Sequence, residues 1–193
     1  MVVGIMIKNF FLHLNTVNKH RFLVFKLCCK ARIPFRGIVH DLSKYSPVEF
    51  LEGVKYYQGT YSPISNCKRE NGYSKAWLHH KGRNKHHYQY WFDYSAPEVN
   101  PIIPYKYTVE MICDTLAAGI TYQKDKWTKD YQLNYYLKER EKNQINEHID
   151  KILLEVYQKV RDEGIDNTIN SKTLKKIYYD HVGDKNEKGN KKS

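Results

Sequence analysis

Apolar side chains recur along this chain in steps of three and four residues, and strict apolar–polar alternation is scarce. The pattern predicts helices rather than strands. Ile5, Phe10, Phe11, Leu14, Val17, Phe22, Phe25, Cys28 and Cys29 predict a long first helix over 5–31. His13 and His20, seven apart, fall on nearly one face of it. Pro34 ends that helix or opens a short second one carrying Ile38, Val39, His40 and Asp41. Ser46-Pro47-Val48-Glu49 has the order of a capping box, with Ser at the N-cap, Pro at N1 and Glu at N3. The helix it starts runs through Phe50, Leu51, Val54 and Tyr57 and stops near Gly59.

Residues 59–72, holding Gly, Ser, Pro and Asn, read as a loop, and 73–92 as a His-rich helix. Pro97, Pro101 and Pro104 make 93–104 a non-helical connection. Helices then follow over 105–123, from a Thr128 cap to about 140, over 145–163, and from a Ser171 cap to about 182. In the first of these, Gly119 suggests close packing. The expected architecture is a single all-α domain. Its core is about 5–123, with a helical extension over about 124–182 packed on it and a disordered basic tail over 183–193.

Composition narrows the class. A chain that is 41% hydrophobic and 14% aromatic is not intrinsically disordered. The net charge of +11 is spread along it and fits a nucleic acid, an anionic substrate or a solvated Lys-rich surface. Cys28, Cys29, Cys67 and Cys113 form no C-x-x-C pair, so free thiols in a reducing cytoplasm are expected. Lys8 and Asn9 interrupt the apolar run over 1–12, which is too short to span a bilayer; a helix is expected there, with no membrane partner.

Two stretches carry metal-binding chemistry. His40 and Asp41 are adjacent, and adjacent helical residues point about 100° apart, so both reach one ion only near a helix end or bend. Pro34, Gly37 and Pro47 supply such breaks. Asp114 lies amid Met111, Ile112, Cys113, Leu116, Ala117 and Ala118, and a carboxylate buried there needs a partner: a metal ion, a Lys, or an exposed helix edge. The second stretch, Trp77 to Trp91, holds His79, His80, His86 and His87. On a continuous helix one face reads Trp77, His80, Asn84, His87, Trp91. His80 and His87 would then stand about 10.5 Å apart along the axis, too far to share one ion. Lys81, Arg83 and Lys85 surround the histidines and suit phosphate or carboxylate, or else form a solvated basic face.

The order His20 … His40-Asp41 … Asp114 resembles the HD-domain superfamily of metal-dependent phosphohydrolases. That resemblance implies an HD-like helical fold and one divalent ion held by His20, His40, Asp41 and Asp114. HDLSK is similar to the superfamily's HD-x-x-K, which implies that Lys44 meets a phosphate. Some members hold a second ion through two further histidines, a place that His80 and His87 would fill. More closely, HDLSKYSPVEF, KYYQG, GYSKAWLHHKGRNKHHYQYW and EMICDTLAAG resemble an uncharacterised bacterial family, over about residues 13 to 137.

The expected function is hydrolysis of a phosphate ester or anhydride on a small phosphorylated substrate, a nucleotide among the options. The cofactor would be one or two ions of Mn, Fe, Co, Ni or Zn. Asp41 and Lys44 would act in catalysis with His79 and His86, and Lys44, Lys81, Arg83 and Asn84 would contact substrate. One alternative is a diiron or dimanganese redox enzyme, oxygenase or catalase-like, on the same ligands. Another is a basic nucleic-acid-binding protein without catalysis, ranked lower because no recognised binding motif is present.

Overall fold

A computed structural model describes residues 2–96, 100–141 and 144–183. Pro97 and all but the first residue of the expected tail lie outside them. The described residues form α1 (Val2–Lys30), α2 (Pro34–Val39), α3 (Pro47–Lys55), α4 (Pro63–Asn71), α5 (Lys75–Lys81), α6 (Tyr105–Gln123), α7 (Tyr131–Arg140), α8 (Glu147–Glu163), α9 (Ile165–Thr168) and α10 (Ser171–Val182). Short 3-10 turns sit at Leu42–Tyr45, Tyr88–Tyr90 and Lys124–Lys126. No strand occurs among the described residues, so the chain is all-α. None of their helices is long and apolar enough to cross a membrane.

One core joins the two halves of the chain. Val24, Leu27 and Cys28 of α1 and Ile112 and Leu116 of α6 meet Ile152 and Val156 of α8 and Leu174 and Ile177 of α10. The expected apolar stripe of α8 is buried along Ile149, Ile152, Leu153, Val156 and Val160. The first turns of α1 differ from expectation: Ile5, Phe10 and Phe11 are exposed and Val17 is the first of the expected apolar positions to be buried, while Phe22, further along, also faces outward.

Local signals explain most helix ends. Ser46 accepts a hydrogen bond from the Glu49 N–H at 3.5 Å with Pro47 at N1, but the Glu49 carboxylate does not complete a capping box and turns towards α5. Asn170, one residue before Ser171, caps α10 by accepting from the Thr173 N–H at 2.9 Å. Thr128 contributes only its carbonyl to the start of α7, whose N-cap is Asp130. The loop expected over 59–72 contains α4. Pro63 at N1 and Gly72 in the left-handed conformation, φ 78°, are start and stop signals, which the polar segment KREN conceals for want of an apolar stripe.

The helix expected over 73–92 ends at Lys81. Asn84 causes the change: its Nδ2 donates to the His80 carbonyl at 2.8 Å and to Ser43 Oγ at 2.9 Å, while the Arg83 and Asn84 N–H groups also turn back to the His80 carbonyl. The chain therefore folds over between His80 and His86.

Gly37 does not break α2 but lies inside it. A Cβ there would stand 2.8 Å from Phe25 Cα and 2.9 Å from Cys28 Cβ, where α2 crosses α1. Backbone cannot yield as a side-chain tip can, so Gly37→Ala is expected to destabilise by about 1–3 kcal/mol. Chemical denaturation would measure it, and an unchanged midpoint would contradict the crossing.

Candidate metal centre

Four elements bring the site together. His40 caps the C-terminus of α2, and Asp41 follows with φ 53° and ψ 27°, a left-handed conformation that Asp tolerates better than most residues. This is the bend that an adjacent His-Asp pair needs, and both side chains turn inward, each only 1% exposed. From α1, His20 points into the same space. From α6 come Glu110 and Asp114, one helical turn apart and therefore on one face. The fold-over after α5 adds His80, His86 and His87.

Their polar atoms form three groups among the described residues: two share Asp41, and the third is His40, His86 and Glu110, which joins the first two. In the first, His20 Nε2 lies 3.0 Å from Asp114 Oδ1, 3.4 Å from His40 Nε2 and 3.8 Å from Asp41 Oδ2. His40 Nε2 is 3.3 Å from Asp41 Oδ2 and 3.5 Å from Asp114 Oδ1. In the second, Asp41 Oδ1 is 3.3 Å from His80 Nε2 and 3.4 Å from His86 Nε2, with His87 completing the group. His80 and His87 rings are 4.8 Å apart between centroids, so the axial separation expected of a continuous helix does not apply. His86 Nε2 also stands 3.6 Å from Asp114 Oδ2.

Asp41 is thus the hinge of the arrangement. Lys44 Nζ sits 2.8 Å from its Oδ2 as an ion pair, yet neither oxygen receives a directed hydrogen bond. Both ring nitrogens of His86 and Nε2 of His87 are likewise buried without a hydrogen-bond partner. Buried polar atoms left in this state are costly unless something else binds them.

Two glutamates escaped the sequence reading. Glu110, fully buried, accepts from His40 Nδ1 at 3.1 Å and lies 3.3 Å from His86 Nδ1 through Oε1, while Arg36 Nε donates to its Oε2 at 2.7 Å. Glu49 accepts from His79 Nδ1 at 2.6 Å and from His80 Nδ1 at 2.7 Å. Glu110 on His40 and Glu49 on His80 each hold an Nδ1 and so leave the Nε2 facing Asp41, the usual support for a metal-binding imidazole. The signal for Glu110 was present: it lies one turn before Asp114 in the same apolar helix.

Electrostatics follow from this crowding. Burial alone would depress His40, but Asp41, Asp114 and Glu110 outweigh it and raise its pKa well above the usual value. Burial opposes ionisation of Asp41 and Asp114 too, yet the imidazoles around both, with Lys44 beside Asp41, hold them well below the ordinary carboxylate range. Glu110 is brought down to about 2 against its own burial by His40, His86 and Arg36. Burial and Lys44 lower His20, and burial with His86 and His80 lowers His87.

A cavity of about 170 Å³ opens beside the groups, and His20, Lys44, His80, His87 and Asp114 reach its wall. The remaining expected site residues lie elsewhere. His79 is tied to Glu49 and belongs to none of the groups. Lys81, Arg83 and Asn84 do not line the cavity; Arg83 donates to the His79 carbonyl, and the Asn84 amide is spent on the turn.

No curated protein and no solved structure matches the chain. A model of a family of unknown function, DUF5662, matches residues 9–159, a span that contains every side chain of the three groups, and the chain belongs to that family.

Proposed function

We propose that this protein is a metal-dependent phosphohydrolase acting on a phosphate ester or anhydride. The observation that carries the reading is the Asp41 carboxylate, buried, shared by two ligand groups and paired with a lysine that borders a cavity. The resemblance of its sequence context to HD-x-x-K supports the same reading.

The residues fit an ion. Bonds of about 2.0–2.2 Å set neighbouring ligand atoms roughly 3.0–3.5 Å apart. The separations between imidazole nitrogens and the oxygens of Asp41 and Asp114 run from 3.0 to 3.8 Å. Imidazole with carboxylate suits Mn, Fe, Co, Ni or Zn. His20, His40, Asp41 and Asp114 would hold one ion, and Asp41, His80, His86 and His87 a second. When bound, such an ion brings the pKa of a water towards neutrality and draws charge from a phosphoryl oxygen.

Charge supports the substrate class. Asp41, Glu49, Glu110 and Asp114 face two permanent cations, Lys44 and Arg36, so with neutral imidazoles the cluster carries two uncompensated negative charges. One divalent ion cancels them; a second leaves a positive centre that a phosphate dianion complements. Lys44 remains protonated, since Asp41 and Asp114 overcome its burial and raise its pKa. Its ammonium has further N–H groups to offer a phosphate oxygen beyond the pair with Asp41.

Element analysis of untagged protein, with p-nitrophenyl phosphate turnover under added Mn or Mg, tests the reading. One or two ions per chain and release of phosphate are expected. A visible absorption band with peroxide or oxygen turnover would transfer the ligand set to redox chemistry. Nucleic-acid affinity that falls steeply with salt and ignores His40→Ala would remove the enzyme altogether.

A further inference from the structure

The first turns of α1 carry more apolar surface than the protein itself covers. Ile5, Met6 and Ile7 are consecutive, and so are Phe10, Phe11 and Leu12, so at about 100° per residue the apolar surface runs round the helix instead of forming one stripe. A helix of that kind belongs in an interior. Phe10 does meet Phe50 edge to face, with ring centroids 5.0 Å apart, yet all six side chains stay between 40 and 64% exposed.

These turns form one wall of a groove, and α3 forms the other. Met6, Ile7, Phe10, Phe11, Leu51 and Val54 line it, with no polar side chain among them. Leu51 is itself 59% exposed. Past Met6, Leu51 and Val54 the groove continues to Tyr56 and Tyr73. Seven large apolar side chains about half exposed leave on the order of 100 Å² each, about 700 Å² in all. The largest apolar patch of an ordinary monomer covers about 300–600 Å², and one side of a standard protein interface about 800 Å². This face exceeds the first figure and approaches the second.

Charge narrows the choice of occupant. Of the net +11, only Lys8 lies within residues 1–18, and on the α3 side Lys55 is offset by Glu52. Attachment to an anionic bilayer draws on clusters of Lys and Arg, whereas the centre of a protein interface is depleted of charge. The relief is also complementary to itself. Phe11, the most exposed of the six on α1, projects from one wall, and Leu51 leaves the other open. A two-fold axis can set each projecting ring into the opposite groove, so that one pair of contacts occurs twice.

We propose that this face binds a second copy of the chain about a two-fold axis, Phe11 of each copy entering the α1–α3 groove of the other against Leu51. The pairing does not rest on the phosphohydrolase reading. It bears on the metal centre all the same, because α1 carries His20 and α3 carries Glu49, and the dimer braces the two helices where they cross.

Sedimentation velocity on the full chain tests the fit. Interfaces of this size bind with micromolar affinity or tighter, so at about 100 µM the wild type should sediment at twice the mass of the 23.0 kDa chain. Phe11→Glu and Leu51→Lys should each raise the dimer dissociation constant at least a hundredfold, since each places an unpaired charge in the interface twice. Both positions are exposed, so helicity and melting of the separate variants should match the wild type, and either one serves if the other does not fold. The reciprocal contact has its own readout. An equimolar mixture of the two variants should dimerise again, because one half of the interface is then unaltered and the other pairs a carboxylate with an ammonium. A wild type that stays monomeric, a dimer indifferent to either substitution, or a mixture that remains monomeric would overturn the inference. Anionic vesicles that capture a monomeric wild type and not Phe11→Glu would overturn it in favour of a membrane surface.

Discussion

Asp41→Ala is expected to cost the protein both ions, whereas His20→Ala should cost one. The difference follows from geometry. Asp41 Oδ2 faces His20 and His40, and Oδ1 faces His80 and His86, so a single carboxylate belongs to both groups. His20 belongs to the first alone. Phosphate release should fall on the order of 10³-fold or more in Asp41→Ala, because several kcal/mol of charge stabilisation leave with the ions and each ~1.4 kcal/mol is tenfold. A second readout does not depend on turnover. A ligand at a hundred times its Kd stabilises the folded state by about 2.7 kcal/mol, so added Mn should raise the melting temperature of the wild type and not of the variant. If Asp41→Ala kept two ions and the same metal-induced shift, the shared carboxylate would be an ion-pair partner of Lys44 and nothing more.

The sequence made the all-α class and the first ligand group legible for different reasons. Periodicity placed α1, α3, α6, α8 and α10 to within a few residues, because each carries a cap, a terminal Gly or Pro, or an apolar stripe. Asp114 stood out as a carboxylate in an apolar helix and His40-Asp41 as a pair at a break, both of which demand a partner, whereas His20 joined them through the resemblance to the HD-domain superfamily. The second group was distorted by the assumption of a continuous helix from 73 to 92. Nothing in the periodicity of AWLHHKGRNKHH reveals that Asn84 will bind Ser43, 41 residues away in sequence, and so close a turn. Glu49 was assigned to its own helix cap because a local role is visible in sequence and a contact with His79 and His80 is not. Glu110 met the same criterion as Asp114 and could have been found by it.

Glu110 supports the sharper test of how the ligands are held. With Glu110→Gln, the side-chain amide can still accept from one imidazole, but the charge that fixes His40 and His86 is gone. Metal affinity is expected to fall about 10–100-fold, the usual consequence of removing a carboxylate behind a ligating histidine. Glu110→Ala should in addition destabilise the fold by about 3 kcal/mol, since it leaves Arg36 without its buried partner; the guanidinium's 23% exposure keeps this at the lower end for a broken buried pair. The pH dependence has a definite sign. An ion needs His40 neutral, and the surrounding carboxylates raise its pKa, so affinity in the wild type should climb as pH rises through that raised value. Removing one of those carboxylates makes the His40 proton easier to lose. In Glu110→Gln the rise in affinity should therefore begin at lower pH while reaching a lower ceiling, which a purely structural defect would not produce. Calorimetric titration with Mn in buffers of different ionisation enthalpy would follow both, and a variant whose profile merely drops without shifting would mean that Glu110 packs the site but does not set the protonation of His40.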